Sequence, residues 1–482
     1  MTKPSLLTAL LASALLASAP CGTASAQPAN IVFINADDLG WTDAGFMGSA
    51  FYETPNLDRL AASGMVFTEA YAPAANCAPS RASVYTGQST PRHGVFTVAA
   101  PARGNAKHRR LIPSPNLRVL DPSIPTYPKL LQQVGYQTSH IGKWHLGEDP
   151  TENGYDVNIG GTLAGHPPGG YFSPYQNSAL EDGPEGEYLT DRLGREAAAW
   201  IDGLDAERPF LLSMQFYSPH TPIEAPDETV ARFKEKPATP LHFNPVYAAM
   251  INHLDASVGR ILDALERRNL LENTFILFTS DNGGIYNISR QDPLRGEKGS
   301  FYEGGVRVPM IVHWPGRVEA GARTATPVTG LDYFPTFLEI AGVEKPADHV
   351  IDGDSLVPLV TGTGTLAEDR PLFWHFPFYL QAYDGGNAQT RDILFRTRPG
   401  GSLRAGDWKL IEYFEDGALE LYNLAHDPGE RRNLAESFPE ETQRLHQIML
   451  DWREETGAPV PTEPNPQFDA EAEARAAKER MR

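Results

Sequence analysis

The chain has 482 residues, with 41 Lys+Arg against 61 Asp+Glu and a formal net charge of −20. So acidic a chain lacks the basic footprint of a general nucleic-acid binder, and its 41% hydrophobic share, with 22 Phe, 18 Tyr and 7 Trp, excludes global disorder. Two cysteines exclude a disulfide scaffold and a multi-cysteine zinc site.

The first predicted element is a targeting signal. Lys3 precedes a small-residue apolar run from Leu6 to Ala19, and Ala24-Ser25-Ala26 stands before Gln27. Charged start, short apolar middle and small-x-small end make residues 1–26 a signal peptide, so the protein is expected to be exported, periplasmic or secreted. The run is too short to span a membrane, and no other run approaches that length. Cleavage after Ala26 removes Cys21 and leaves Cys77 as a lone cysteine. In an oxidising compartment such a thiol is either a buried bystander or chemically special.

Four apolar runs then end in polar residues. Ile31-Val32-Phe33-Ile34 leads to Asp37-Asp38, and Thr138-Ser139-His140-Ile141 leads to Lys143 and His145. Phe210-Leu211-Leu212 leads to His220, and Phe275-Ile276-Leu277-Phe278 to Asp281-Asn282. Short β-branched and aromatic runs fit strands buried on both faces of a parallel sheet. Helical patterns lie between them, the clearest carrying Met250, Leu254, Val258, Ile261, Leu262 and Leu265 on one stripe. The alternation predicts an α/β fold with its site at the carboxyl ends of strands.

After about residue 365 the texture changes. Trp408-Lys409-Leu410-Ile411 and Leu419-Glu420-Leu421-Tyr422 read as short antiparallel strands, followed by a helix near Glu440 to Arg453. The expected organisation is a catalytic domain over 27–365 and a smaller α+β subdomain over 366–482, whose residues from Pro459 onward form a loosely held tail.

The sharpest string is Cys77-Ala78-Pro79-Ser80-Arg81, followed by Thr86-Gly87. Pro79 suits the first turn of a helix, which puts Cys77 at a helix N-terminus where free N–H groups favour an anion. Arg81 adds a fork for oxyanions. Ala70 to Leu120 holds no Asp or Glu, where average composition predicts roughly six. The same window holds Arg81, Arg92, Arg103, Lys107, Arg109, Arg110 and Arg118. It is either a region that steers an anion inward or a solvated basic loop. For substrate contacts, the loop His166-Pro167-Pro168-Gly169 and the later Trp374, His375 and Arg391 are candidates.

The string resembles the signature C-x-P-S-R-x-x-x-x-T-G of the formylglycine-dependent, arylsulfatase-like sulfatases in the alkaline phosphatase superfamily. Further motifs resemble that family in its order. They are Asn35-Ala36-Asp37-Asp38-Leu39-Gly40, Thr54-Pro55-Asn56-Leu57-Asp58-Arg59-Leu60-Ala61, Gly142-Lys143-Trp144-His145 and Ser218-Pro219-His220-Thr221-Pro222. Thr279-Ser280-Asp281-Asn282-Gly283-Gly284, Gly296-Glu297-Lys298-Gly299 with Glu303-Gly304-Gly305, and Leu421-Tyr422-Asn423-Leu424 with Asp427-Pro428 complete them.

The resemblance implies an alkaline-phosphatase-like fold: a large mixed, mostly parallel sheet flanked by helices. It implies that a maturation enzyme oxidises Cys77 to formylglycine, whose hydrate attacks the sulfur of an organic sulfate ester, expectedly on a carbohydrate. It implies a metal site of Asp37, Asp38, Asp281, Asn282 and the modified Cys77. Such hard oxygen donors suit Ca²⁺, with Mg²⁺ the alternative. By matching position, Lys143 and Lys298 hold sulfate oxygens and Arg81 supports the nucleophile and metal ligands. His220, with Lys298, protonates the leaving alcohol, and His145 takes the proton that restores the aldehyde. Rival readings are a phosphonate or phosphate ester hydrolase using the same modified residue, and aryl sulfate as the main substrate. Related phosphonate hydrolases tend to place histidine where Asn282 stands.

Overall fold

The structure, a computed structural model, describes residues 28–383 and 389–481. The expected signal peptide, with Cys21, lies outside the described residues. Nine strands form the main sheet: β1 (Asn30–Ala36), β2 (Met65–Tyr71), β3 (Gln137–Gly142), β4 (Val157–Ile159), β5 (Phe210–Gln215), β6 (Thr274–Ser280), β7 (Arg307–His313), β8 (Ala322–Thr324) and β9 (Val328–Thr329). Their order is β4-β3-β5-β1-β6-β7-β2-β8, with β9 also on β2. β4 to β6 along that order pair in parallel, and β7 runs antiparallel to both its neighbours. The sheet is therefore mixed and mostly parallel and flanked by helices, as the resemblance implies.

The continuous apolar runs are explained by cover on both faces. Along β1, Val32 and Ile34 enter one core and Ile31 and Phe33 the other. β6 divides likewise, with Ile276 and Phe278 opposite Phe275 and Leu277. One face is covered by helices Leu189–Asp202 and Pro245–Arg267, the other by helix Tyr333–Ala341. Helix Pro245–Arg267 starts with proline, and the Asn244 side chain accepts from the N–H groups of Val246 and Tyr247, satisfying donors the first turn leaves open. Its predicted stripe is buried throughout. Each such side chain contributes about 1.5–3 kcal/mol of transfer free energy, so packing and not propensity holds this helix.

The later part contains β10 (Leu372–Phe376), β11 (Leu380–Gln381), β12 (Phe395–Thr397), β13 (Gly400–Ala405), β14 (Trp408–Tyr413) and β15 (Leu419–Asn423). β10, β13, β14 and β15 make an antiparallel sheet. Helix Pro439–Thr456 lays Leu445 and Met449 on Leu403, Leu410 and Leu421. Lys409, fully buried, joins this sheet to the main body through Glu303 at 2.8 Å and also pairs with Glu430 of the later part at 3.1 Å.

The expected loose tail is corrected. Residues 470–480 form a helix whose Asp469 cap accepts from the N–H groups of Glu471 and Ala472. Asn465 donates to the carbonyls of Ala106 and Arg109, Glu473 pairs with Arg398 at 2.6 Å, and Ala476 and Ala477 pack on the Tyr379–Leu394–Phe395 cluster. A charged, proline-containing sequence is ordered here because a distant surface offers matching charge and a small apolar seat.

Candidate active site

The register of four strands brings the chemistry together. Across β3, β5, β1 and β6, Gly142 pairs with Gln215, Asn35 with Gln215 and Ala36 with Ser280. The next residues of each chain, Lys143, Asp37-Asp38 and Asp281-Asn282, therefore leave the sheet side by side at its carboxyl edge. Gly142 has φ +99°, and a Cβ there would lie 1.9 Å from the Gln215 carbonyl oxygen. Glycine lets the chain turn so that the Lys143 N–H donates to that carbonyl at 2.8 Å. Asp38 turns through the left-handed region, φ 65°, its N–H donating to Asp281 Oδ1 at 3.2 Å. Aspartate tolerates this conformation better than most residues.

Cys77 opens the buried helix Cys77–Thr86. Its Sγ lies 3.4 Å from Asp37 Oδ1 and 3.2 Å from Lys298 Nζ. Burial, with Asp37 adding to it, pushes the thiol far above its usual range, against the helix terminus that favours an anion. Arg81, one turn on, donates through Nε to Asp281 Oδ2 at 2.9 Å and through Nη1 to the Lys143 carbonyl at 2.9 Å and Gln215 Oε1 at 3.1 Å. Gln215, itself bonded by Asn35 Nδ2 at 3.1 Å, was missed in the sequence. The only signal was an amide in an apolar strand.

Three buried carboxylates face three buried cations. Lys143 Nζ lies 2.6 Å from Asp37 Oδ2, Lys298 Nζ 2.7 Å from Asp38 Oδ1, and Arg81 holds Asp281. Burial opposes ionisation of Asp38, but Lys298, His220 and Lys143 outweigh it and hold its carboxyl well below the usual range. Burial raises Asp37 instead, with Lys143 only partly offsetting it. Asn282 Nδ2 donates to Asp38 Oδ1 at 2.7 Å, while Asn282 Oδ1 is buried without a partner. Carboxylates crowded to this degree, beside an orphaned amide oxygen, fit a hard divalent cation. Asp37, Asp38, Cys77 and His220 offer atoms within 4.8 Å of one another. Asp281 and Asn282 adjoin them through their bonds to Asp38.

His220 stands beside this group, Nε2 at 3.6 Å from Asp38 Oδ2 and Nδ1 at 2.6 Å from the Thr221 carbonyl. Burial and Lys298 push it down to about 3, although Asp38 pulls the other way. Burial and Lys143 hold His145 well below its usual range, so its ring is neutral. Its Nδ1 is buried with no partner. The ring lies against Gly165, where an added Cβ would meet Cε1 at 2.5 Å. Gly165→Ala is therefore expected to displace His145 and lower kcat by up to about 100-fold, the cost of an ångström-scale misplacement. Unchanged kcat would show that the ring's position is not used.

Cys77, His145, His220 and Lys298 open into one cavity of about 500 Å³. Of the basic residues between 70 and 120, Arg103 and Arg118 reach its wall and Arg81 lies beneath it. Arg92 instead pairs with Asp352 and Glu455, Arg110 with Glu473, and Arg109 donates to the Ala102 carbonyl. His166 lines the cavity. Trp374 and His375 do not: both are buried, bonded to the carbonyls of Ala72 and Pro459. Arg391 pairs with Asp416 in a separate cavity. The later part supplies Tyr383 and Arg396 in their place.

Comparison with known proteins adds the following. Residues 29–343 match the family model described as Sulfatase, and residues 296–455 the model described as N-sulphoglucosamine sulphohydrolase, C-terminal. A protein named Sulfatase from Formosa agariphila is 33% identical, over 89% of this chain and 88% of its own. The N-acetylgalactosamine-6-sulfatase of Homo sapiens is 30% identical, over 91% and 87%. The crystal structure of Ps i-CgsB in complex with k-i-k-neocarrahexaose superposes with a TM-score of 0.73 at 31% identity, over 88% of this chain and 93% of that one.

Proposed function

The chain belongs to the sulfatase family and is a sulfuric ester hydrolase, and from that premise we propose that it cleaves the S–O bond of a sulfate ester on a carbohydrate, with formylglycine made from Cys77 and a divalent cation. The observation that carries the mechanism is the seat of Cys77. It lies at the floor of the cavity, between a carboxylate and an ammonium group, and among the described residues it has no disulfide partner. Relatives named for sulfated sugars, and a neighbour solved with a carrahexaose, support the carbohydrate.

Asp37, Asp38, Asp281, Asn282 and the residue made from Cys77 would hold the cation, Ca²⁺ in preference to Mg²⁺. When bound, the cation and the hydrated aldehyde supply charge neutralisation and the attacking oxygen. Lys143 and Lys298 hold sulfate oxygens and oppose the charge that grows there. Arg81 fixes Asp281 and the backbone at Lys143. His220, with Lys298, gives a proton to the leaving alcohol. An anion bound between them offsets the Lys298 charge that presses on His220, and so raises it toward the range where it can donate. His145, neutral and with an unpartnered nitrogen, accepts a proton after the alcohol has left. We propose further that residues 1–26 direct export to the periplasm or medium, that a formylglycine-generating enzyme matures Cys77, and that the chain divides at 365/366. Among the described residues no helix is long and apolar enough to cross a membrane.

Paired substrates test the two histidines. A phenolic leaving group needs little protonation and a sugar hydroxyl much more, so His220→Ala should slow sugar sulfate cleavage about 100–10,000-fold and aryl sulfate far less. His145→Ala should slow both and release a burst of alcohol ahead of sulfate. Equal losses on both substrates for His220→Ala, with no burst for His145→Ala, would mean the roles are misassigned. Release of sulfate from defined sulfated saccharides tests the function itself, and release from none of them would overturn the carbohydrate reading.

A further inference from the structure

The charges at the floor of the site close among themselves: Asp37, Asp38 and Asp281 against Lys143, Lys298 and Arg81. The wall of the cavity is different. Arg103, Arg118 and Arg396 line it, and among the described residues no Asp or Glu does. This occurs in a chain with a net charge of −20, where carboxylates are the commoner charged group. Arg103 and Arg118 make no ion pair among the described residues. Arg396 is held by two backbone bonds, Nε to the Gln381 carbonyl and Nη1 to the Lys298 carbonyl, each at 3.0 Å, which leaves other N–H donors of its five to a ligand. Burial and the charge of Arg396 both press against the Arg103 guanidinium. Arg396 is near enough to the buried Glu297 carboxyl to favour its charged form, whereas Arg103 and Arg118 gather like charge on the cavity wall, which repels itself and does nothing for the core.

The positions are also built rather than accidental. Ala102 bridges to Tyr379, whose N–H donates to the Pro101 carbonyl at 2.9 Å. Gly104, φ +81°, packs so closely on Phe395 that a Cβ would lie 2.8 Å from the ring. Arg103 is thus held between two anchored neighbours. The backbone around Arg118 is tied by Leu117 N–H to the Gly94 carbonyl at 3.0 Å and Leu120 N–H to the Leu146 carbonyl at 2.8 Å. Arg396 stacks on the Tyr383 ring, its guanidinium carbon 3.7 Å from the centroid. Planar guanidinium forks recognise oxyanions in two-point fashion, and a cavity of about 500 Å³ has the size of sites that enclose small ligands.

We propose that Arg103, Arg118 and Arg396 form a second oxyanion site, so that the preferred saccharide carries another sulfate or a carboxylate beside the sulfate that is cleaved. The proposal rests on the carbohydrate sulfatase reading above and narrows its substrate to a doubly anionic class.

The test compares kcat/KM for sulfate release from three saccharides of one scaffold: one bearing a single sulfate, one with a second sulfate, and one with a single sulfate and a uronate carboxylate. The wild type should favour at least one doubly anionic substrate by about 10–100-fold, the scale of one or two charge-assisted hydrogen bonds. Which arm is favoured tells sulfate from carboxylate. The double variant Arg103→Gln/Arg118→Gln should lose that preference, and Arg103→Lys should keep part of it. Among the described residues neither arginine has an ion pair to lose, and an unchanged unfolding temperature verifies that the double variant is folded. The preference should also shrink as salt rises. Equal kcat/KM for all three substrates, or an undiminished preference in the double variant, overturns the second site while leaving the sulfatase reading intact. Aryl sulfate cleavage with release from none of the three saccharides overturns the carbohydrate reading, and this site with it.

Discussion

Cys77→Ala should release no measurable sulfate from any ester, a fall in kcat on the order of 10⁶-fold, the scale seen when a covalent nucleophile is removed. The chain should still fold. The side chain is small, and its Sγ contacts are with Asp37 and Lys298, which already hold other partners. In the active enzyme, mass spectrometry of the peptide containing Cys77 should show an aldehyde in place of the thiol. As a thiol, the group is buried and kept protonated, and the thiolate is the form that attacks. Activity should therefore follow the fraction converted when a maturation enzyme is supplied. Full turnover by protein carrying only the thiol would overturn the assignment.

Asp281 shows how strongly stability and chemistry are joined at this site. Its Oδ2 accepts a hydrogen bond from Nε of Arg81 and lies 2.9 Å from Nη2 of the same guanidinium, whose side chain is 1% exposed. Asp281→Ala leaves that guanidinium buried without a counter-charge, and breaking such a pair costs about 3–5 kcal/mol. The alanine variant should therefore lose turnover and much of its stability together, so it cannot report on metal binding alone. Asp281→Asn keeps the shape and one acceptor for Arg81 while removing the charge. It should fold at a lower unfolding temperature than wild type and turn over at a small fraction of its rate. Ca²⁺ at 100 times its Kd should stabilise the wild type by about 2.7 kcal/mol, and the Asn variant should show little of that shift. An Asn variant with the wild-type response to Ca²⁺ would remove Asp281 from the ligand set.

Much of the site was legible because its chemistry sits at strand ends. An apolar run buried on both faces has to stop where the chain leaves the sheet, and the first polar residues after it are the ones presented at the edge. This is why Asp37-Asp38, Lys143 and Asp281-Asn282 could be read from three of the four short runs. It is also why the stripe from Met250 to Leu265 could be assigned to one helix face.

What local pattern does not carry is which distant segment meets a side chain. Arg92 and Arg118 look alike in the sequence, yet Arg92 is spent on Asp352 and Glu455 while Arg118 faces the cavity. Trp374 and His375 look like pocket residues, but the antiparallel pairing of β10 with β13 turns them into buried packing. The charged terminus reads as a tail, and becomes a helix through contacts with residues 106, 109 and 398. Composition and hydrophobic period, which act over a few residues, were enough to establish the α/β class, the strands and the residues at their ends. Pairing of charges and closure of the cavity depend on segments hundreds of positions apart. Only the tertiary structure decided them, because a side chain's burial and its counter-charge are set by whatever the fold places against it.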